Sequence, residues 1–102
     1  MLTRMAASAQ KHYLITGSGR GIGRGLSRLL LQKGHKVFLL DNDEDELHNT
    51  TSLLSQTHKQ GKDFDSTICN LRNIQDIRSA IEKAGQWFNG RLDCLVNNAA
   101  SE

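Results

Sequence analysis

The 102 residues are expected to fold as an α/β domain, a parallel sheet wound on both faces by helices. Three observations carry this. Between Lys11 and Ala100, short apolar runs alternate with longer segments of helical period, the pattern of strands joined by crossover helices. Val37-Phe38-Leu39-Leu40 is continuously apolar, as a strand covered on both faces requires. A glycine-rich turn, Thr16-Gly17-Ser18-Gly19-Arg20-Gly21-Ile22-Gly23, stands between the first apolar run and the first helical segment.

Four strands and three helices fit the chain in order. The first strand covers about Tyr13 to Thr16. A helix follows from about Ile22 to Lys33, its apolar stripe formed by Ile22, Leu26, Leu29 and Leu30, and Gly34 provides a left-handed stop. Lys36 to Leu40 is the second strand, closed by Asp41. Asp43 and Glu46 have capping-box-like spacing ahead of a second helix that runs to about Thr57, with Leu47 and Leu54 on one face. Phe64 to Cys69 is the third strand. Asn73 caps a third helix whose stripe is Ile74, Ile77, Ile81, Ala84 and Phe88, and Gly90 stops it. Leu92 to Val96 is the fourth strand, ending in the Asn97-Asn98 turn.

Composition narrows the function classes. The length allows one domain, and residues 1 to 10 read as a flexible extension ahead of a domain at 11 to 102. A formal charge of +2, with dispersed basic residues, argues against a nucleic-acid surface. No apolar run approaches the roughly 18 residues of a membrane span, and the first ten residues lack a secretory signal pattern. A cytoplasmic location is therefore expected. Cys69 and Cys94 lie in apolar runs and read as buried reduced thiols. His12, His35, His48 and His58 have no metal-ligand spacing and read as solvated, so neither metal nor catalytic residues are assigned.

Chemistry concentrates in the glycine turn. Backbone amides, a helix N-terminus and glycines that permit close approach together make a phosphate cradle. The strict G-x-G-x-x-G register fails, because Arg24 stands three residues beyond Gly21, and a Walker A loop fails as well. T-G-x-x-x-G-x-G fits, with glycines at 17, 21 and 23.

On three motifs the chain resembles the classical short-chain dehydrogenase/reductase family. These are Thr16-Gly17-x-x-x-Gly21-Ile22-Gly23, Asp41 ending the second strand, and Leu92-Asp93-Cys94-Leu95-Val96-Asn97-Asn98-Ala99-Ala100 in place of the family's fourth-strand Asn-Asn-Ala-Gly. The resemblance implies a partial Rossmann fold with strand order 3-2-1-4, the first two helices on one face and the third on the other. It implies that Gly17, Gly21, Ile22 and Gly23 line the pyrophosphate of NAD, with Ser18 and Arg20 on the adenosine side. Asp41 would accept the ribose hydroxyls and repel a 2'-phosphate. Arg20 pulls the other way, toward NADP. Asn70 stands where the family has an adenine-binding aspartate, with Leu71 offering its backbone N–H; Asn98, Ala99 and Ala100 fall beside the nicotinamide ribose, and Ala100 replaces the family's glycine. Asp93 is expected to be structural.

The family's catalytic serine, tyrosine and lysine have no counterpart here. Tyr13 is the single tyrosine, and four residues later comes Gly17. The resemblance thus implies the truncated N-terminal half of an NAD(P)-dependent oxidoreductase acting on carbonyl or alcohol substrates. The alternative is a non-catalytic nucleotide- or partner-binding remnant of such an enzyme. Either way the fourth strand would be a bare edge exposing Leu92, Leu95 and Val96, to be covered by a C-terminal half or another subunit.

Overall fold

The computed structural model describes residues 10–98. The expected N-terminal extension therefore lies outside the described residues, apart from Gln10. The elements are β1 (His12–Thr16), α1 (Gly21–Gln32), β2 (Lys36–Asp41), α2 (Glu44–Leu54), β3 (Phe64–Ile68), α3 (Ile74–Trp87) and β4 (Cys94–Asn97). All strands are parallel, in the order β3-β2-β1-β4. Ile15 pairs with Leu39 on one side and Val96 on the other, so β1 is central, and β4 lies at the sheet edge.

Because successive strand side chains point to opposite faces, the sheet feeds two cores. Ile15, Val37, Leu39 and Phe64 pack with Leu30, Leu31, Leu47 and Leu54, which puts α1 and α2 on one face. Leu14, Phe38 and Leu40 pack with Ala80, Ala84 and Phe88 of the α3 segment on the other. This is a doubly wound sheet, and its strand order is the one anticipated.

Two helical stripes need correction. In α1 the buried residues are Gly23, Ser27, Leu30 and Leu31, while Ile22 is 79% exposed and Leu29 is also exposed. The spacing is the expected one, shifted by one residue, because the helix is rotated to bring Gly23 against the loop that precedes it. In α3, Ala84 and Phe88 are buried and Ile77 packs against the core as expected, but Ile74 is 66% and Ile81 55% exposed, and Ala80 is buried in their place. Small side chains let that helix lie close to the sheet, and Ile74 and Ile81 occupy its flank.

Other boundaries move by a few residues. α2 ends at Leu54 rather than near Thr57, since Gln56 donates to the Leu53 carbonyl in a tighter i−3 turn. β4 begins at Cys94, because Asp93 exchanges both its amide and its carboxylate with the His12 backbone just before the ladder starts. His12 also departs from expectation. It is buried, stacked on Phe88 with ring centroids 4.8 Å apart, and its Nδ1 donates to the Arg91 carbonyl at 2.8 Å.

Candidate functional site

The chain leaves β1 for α1 on one face and later crosses from β3 to β4 on β1's far side, so the strand order switches direction between β1 and β4. In open α/β sheets, ligands bind at the carboxyl ends of the strands at such a point. Here the glycine turn and Asp41, Asn97 and Asn98 meet.

Each end of the turn is fastened. The Asn98 N–H donates to Thr16 Oγ1 at 3.0 Å, and its side-chain Nδ2 donates to the Gly17 carbonyl at 3.1 Å. Thr16 Oγ1 donates in turn to Asn97 Oδ1 at 3.2 Å. Ser18 is fully buried, and both its N–H and its hydroxyl donate to the Leu40 carbonyl. Its side chain thus anchors the turn to β2 and faces the interior.

Backbone shape then explains the glycines. Gly17 and Gly21 have φ of +66° and +58°, the left-handed region that side chains rarely adopt. A Cβ on Gly19 would stand 2.5 Å from Asp41 Oδ2, and one on Gly23 would stand 2.3 Å from the Gly17 carbonyl oxygen. At Gly23 the blocking atoms are backbone, so no side chain fits there, and at Gly19 a side chain would displace the Asp41 carboxylate.

Asp41 accepts the Gly19 N–H through Oδ2 at 2.6 Å and the Asp43 N–H through Oδ1 at 2.9 Å. Each carboxylate oxygen keeps further acceptor capacity. Asp41 is thereby oriented at the tip of β2, beside the turn.

The helix that the turn feeds is chemically unlike the other two. α2 and α3 begin with side-chain caps from Asp43 and Asn73 and carry acidic residues in their first turns. α1 has no side-chain cap and no acidic residue there. Its amide dipoles are left without an internal anionic partner, which suits a phosphate. The open space around a Cβ position at Gly21 and the tight packing behind Gly23 give a backbone cradle that fits a pyrophosphate.

At the sheet's other flank, Asn70 Oδ1 accepts the Arg72 N–H at 2.9 Å and the Asn70 N–H donates to Asp76 Oδ2 at 3.2 Å. Leu71 is exposed beside them. Ala99 and Ala100 lie outside the described residues.

One group of the site, Arg24 with Thr50, carries no motif in the sequence. Arg24 Nη2 donates to the Gly19 carbonyl at 2.5 Å and to Glu46 Oε1 at 2.9 Å, and its Nε donates to Thr50 Oγ1 at 2.7 Å. Thr50 Oγ1 also donates to the Gly19 carbonyl, at 2.6 Å. The turn is thus clamped to α2. Only the opposite charges of Arg24 and Glu46 hinted at this, because Thr50 looks like any helix-surface threonine.

Among the described residues, no group of three or more His, Cys, Asp or Glu is placed to hold a metal ion. No helix there is long and apolar enough to cross a membrane.

This geometry agrees with what the chain is similar to. Residues 11–102 match the model of the family described as short chain dehydrogenase. L-fucose dehydrogenase of Bos taurus is 35% identical over 91 residues, covering 89% of this chain and 31% of that protein. The 15-hydroxyprostaglandin dehydrogenase (NAD(+)) of Homo sapiens is 40% identical over 87 residues, covering 84% and 32%. A crystal structure of an actinorhodin polyketide ketoreductase variant with NADPH superposes with a TM-score of 0.79 at 29% identity, over 90% of this chain and 34% of that one. The chain belongs to the short-chain dehydrogenase family. It spans about a third of the length of these curated relatives, and the cofactor the family implies is a nicotinamide dinucleotide.

Proposed function

We propose that this chain is the cofactor-binding part of a short-chain oxidoreductase and binds NAD in preference to NADP. The observation that carries the reading is Asp41. A carboxylate at the end of β2, oriented by the Gly19 amide at 2.6 Å and set beside the uncapped start of α1, is suited to accept ribose hydroxyls and to repel a 2'-phosphate. Of the two cofactors, the human relative's name carries NAD(+) and the ketoreductase structure holds NADPH.

In this reading Gly17, Gly21, Ile22 and Gly23 hold the pyrophosphate. Ser18 keeps the turn in place and Arg20 lies toward the adenosine. Asn70 and Leu71 take the adenine, and Asn98, Ala99 and Ala100 take the nicotinamide ribose. Asn98 does so while bracing the Gly17 carbonyl, since its amide oxygen remains an acceptor. When bound, such a cofactor supplies hydride transfer to or from a carbonyl or alcohol substrate.

The proton-handling groups of that reaction are assigned to residues other than these. Tyr13 lies within β1, its ring packed edge-on against His35 with centroids 5.3 Å apart. No lysine follows it at the fourth position, which is Gly17.

Calorimetry with NAD, NADP and ADP-ribose tests the reading. NAD and ADP-ribose are expected to bind with similar affinity, because the contacts named fall mainly on the adenosine diphosphate. Asp41→Ala is expected to weaken NAD and to raise the relative affinity for NADP. An unchanged preference in that variant, or no binding of any of the three by the wild-type chain, refutes the reading.

A further inference from the structure

Glu46 joins two arginines of the loop region through separate oxygens. Oε1 accepts from Arg24 Nη2 at 2.9 Å, and Oε2 lies 4.0 Å from Arg20 Nη1. Arg24 is at the same time tied to the Gly19 carbonyl and to Thr50. Arg20 is different in kind. Its side chain is 67% exposed, and its guanidinium has Glu46 as its ion-pair partner.

Position gives that pair a consequence. Arg20 directly follows Gly19, whose N–H donates to Asp41, so a cation-bearing residue and a carboxylate both adjoin Gly19 at the corner where a ribose would lie. A free guanidinium there would attract an added phosphate and offset Asp41's repulsion of it. Glu46, 4.0 Å away, partly offsets that charge and draws the guanidinium toward α2.

We propose that Glu46 is a specificity-determining residue of the dinucleotide site: by pairing with Arg20 it withdraws that guanidinium from a 2'-phosphate and leaves Asp41 to exclude NADP. This rests on the reading of the turn as a dinucleotide site. Glu46→Gln is the informative change, because a glutamine carbonyl still accepts from Arg24 while the charge that holds Arg20 is gone.

The test is a double-mutant cycle on the whole chain: wild type, Glu46→Gln, Arg20→Ala and the double variant, each titrated calorimetrically with NAD and NADP at low ionic strength. Circular dichroism confirms that each is folded. The NADP-to-NAD affinity ratio is expected to rise about threefold to fivefold in Glu46→Gln, the scale of an exposed ion pair. In the Arg20→Ala background the same substitution should move the ratio by less than about twofold.

A merely structural Glu46 would lower both affinities alike and leave the ratio unchanged, which overturns the proposal. So does an equal rise with and without Arg20, which would assign the effect to the bare charge of Glu46. If wild type binds neither nucleotide, the dinucleotide reading fails first and this one with it. Binding with an unmoved ratio overturns this one alone.

Discussion

Gly23 and Gly25 stand two residues apart on α1, and the same substitution should act on them with opposite sign. An alanine Cβ at Gly23 would meet the Gly17 carbonyl oxygen at 2.3 Å, Ser18 Cα at 2.8 Å and Asn98 Nδ2 at 2.9 Å. The first two are backbone atoms of a turn pinned by Asn98 and Leu40, so they cannot recede without breaking those hydrogen bonds. Overpacking of this kind costs about 1–3 kcal/mol. The helix-propensity gain of Gly→Ala returns at most about 1 kcal/mol. Gly23→Ala should therefore destabilise the fold by up to about 2 kcal/mol. Around Gly25 a Cβ meets nothing within 4 Å, and Gly25→Ala should stabilise by about 0.5–1 kcal/mol. Urea titration of the two variants and wild type, followed by circular dichroism at 222 nm (about the usual helix band), measures both shifts. Nucleotide titration should show that Gly23→Ala also weakens NAD, because the cradle must open to admit the methyl. A Gly23→Ala variant as stable as Gly25→Ala would refute the close approach of α1 to the turn.

Three further predictions concern Asp93 and the two cysteines. The His12 N–H on Asp93, assisted by Arg91 and opposed by partial burial, holds the Asp93 carboxyl below the usual carboxylate pKa. The wild type's stability advantage over Asp93→Asn should then be complete above about pH 4 and fade as the pH falls from there toward the lowered folded value. Thermal melts across acidic pH check this, and an advantage that grows on acidification contradicts it. Burial, and secondarily Asp76, push the Cys69 thiol up, whereas Cys94 is only half-buried. Iodoacetamide should therefore alkylate Cys94 first. The two cysteines lie at strands separated by three sheet spacings of about 4.8 Å each, beyond the disulfide Cα limit of about 7 Å. Mass spectrometry of the oxidised protein should find both thiols free, and an internal bridge would contradict the strand order.

The periodicities in this chain were enough to give the number, type and order of its elements. A continuous apolar run such as Val37 to Leu40, four residues between Gly34 and Asp41, is too short for a helix and fits a strand covered on both faces. The spacing of Gly17, Gly21 and Gly23 between a strand and a helix, with Asp41 at the next strand's end, made the turn and its acidic neighbour legible as well. These features are local, each resting on residues within one element or one turn.

What the sequence left open was rotation and reach. A 3.6-residue period shows that α1 has a buried stripe but does not say which of two adjacent stripes it is. Contact with the Gly17 carbonyl decided for the one beginning at Gly23 and left Ile22 outside. The burial of His12 depended on Phe88 and Arg91, far along the chain. Arg24 and Thr50 became parts of the site only when α2 packed beside the turn and both donated to one carbonyl. Such groups carry no local signal, because a hydrogen bond between residues distant in sequence depends on positions that exist only once the sheet and its helices have been assembled.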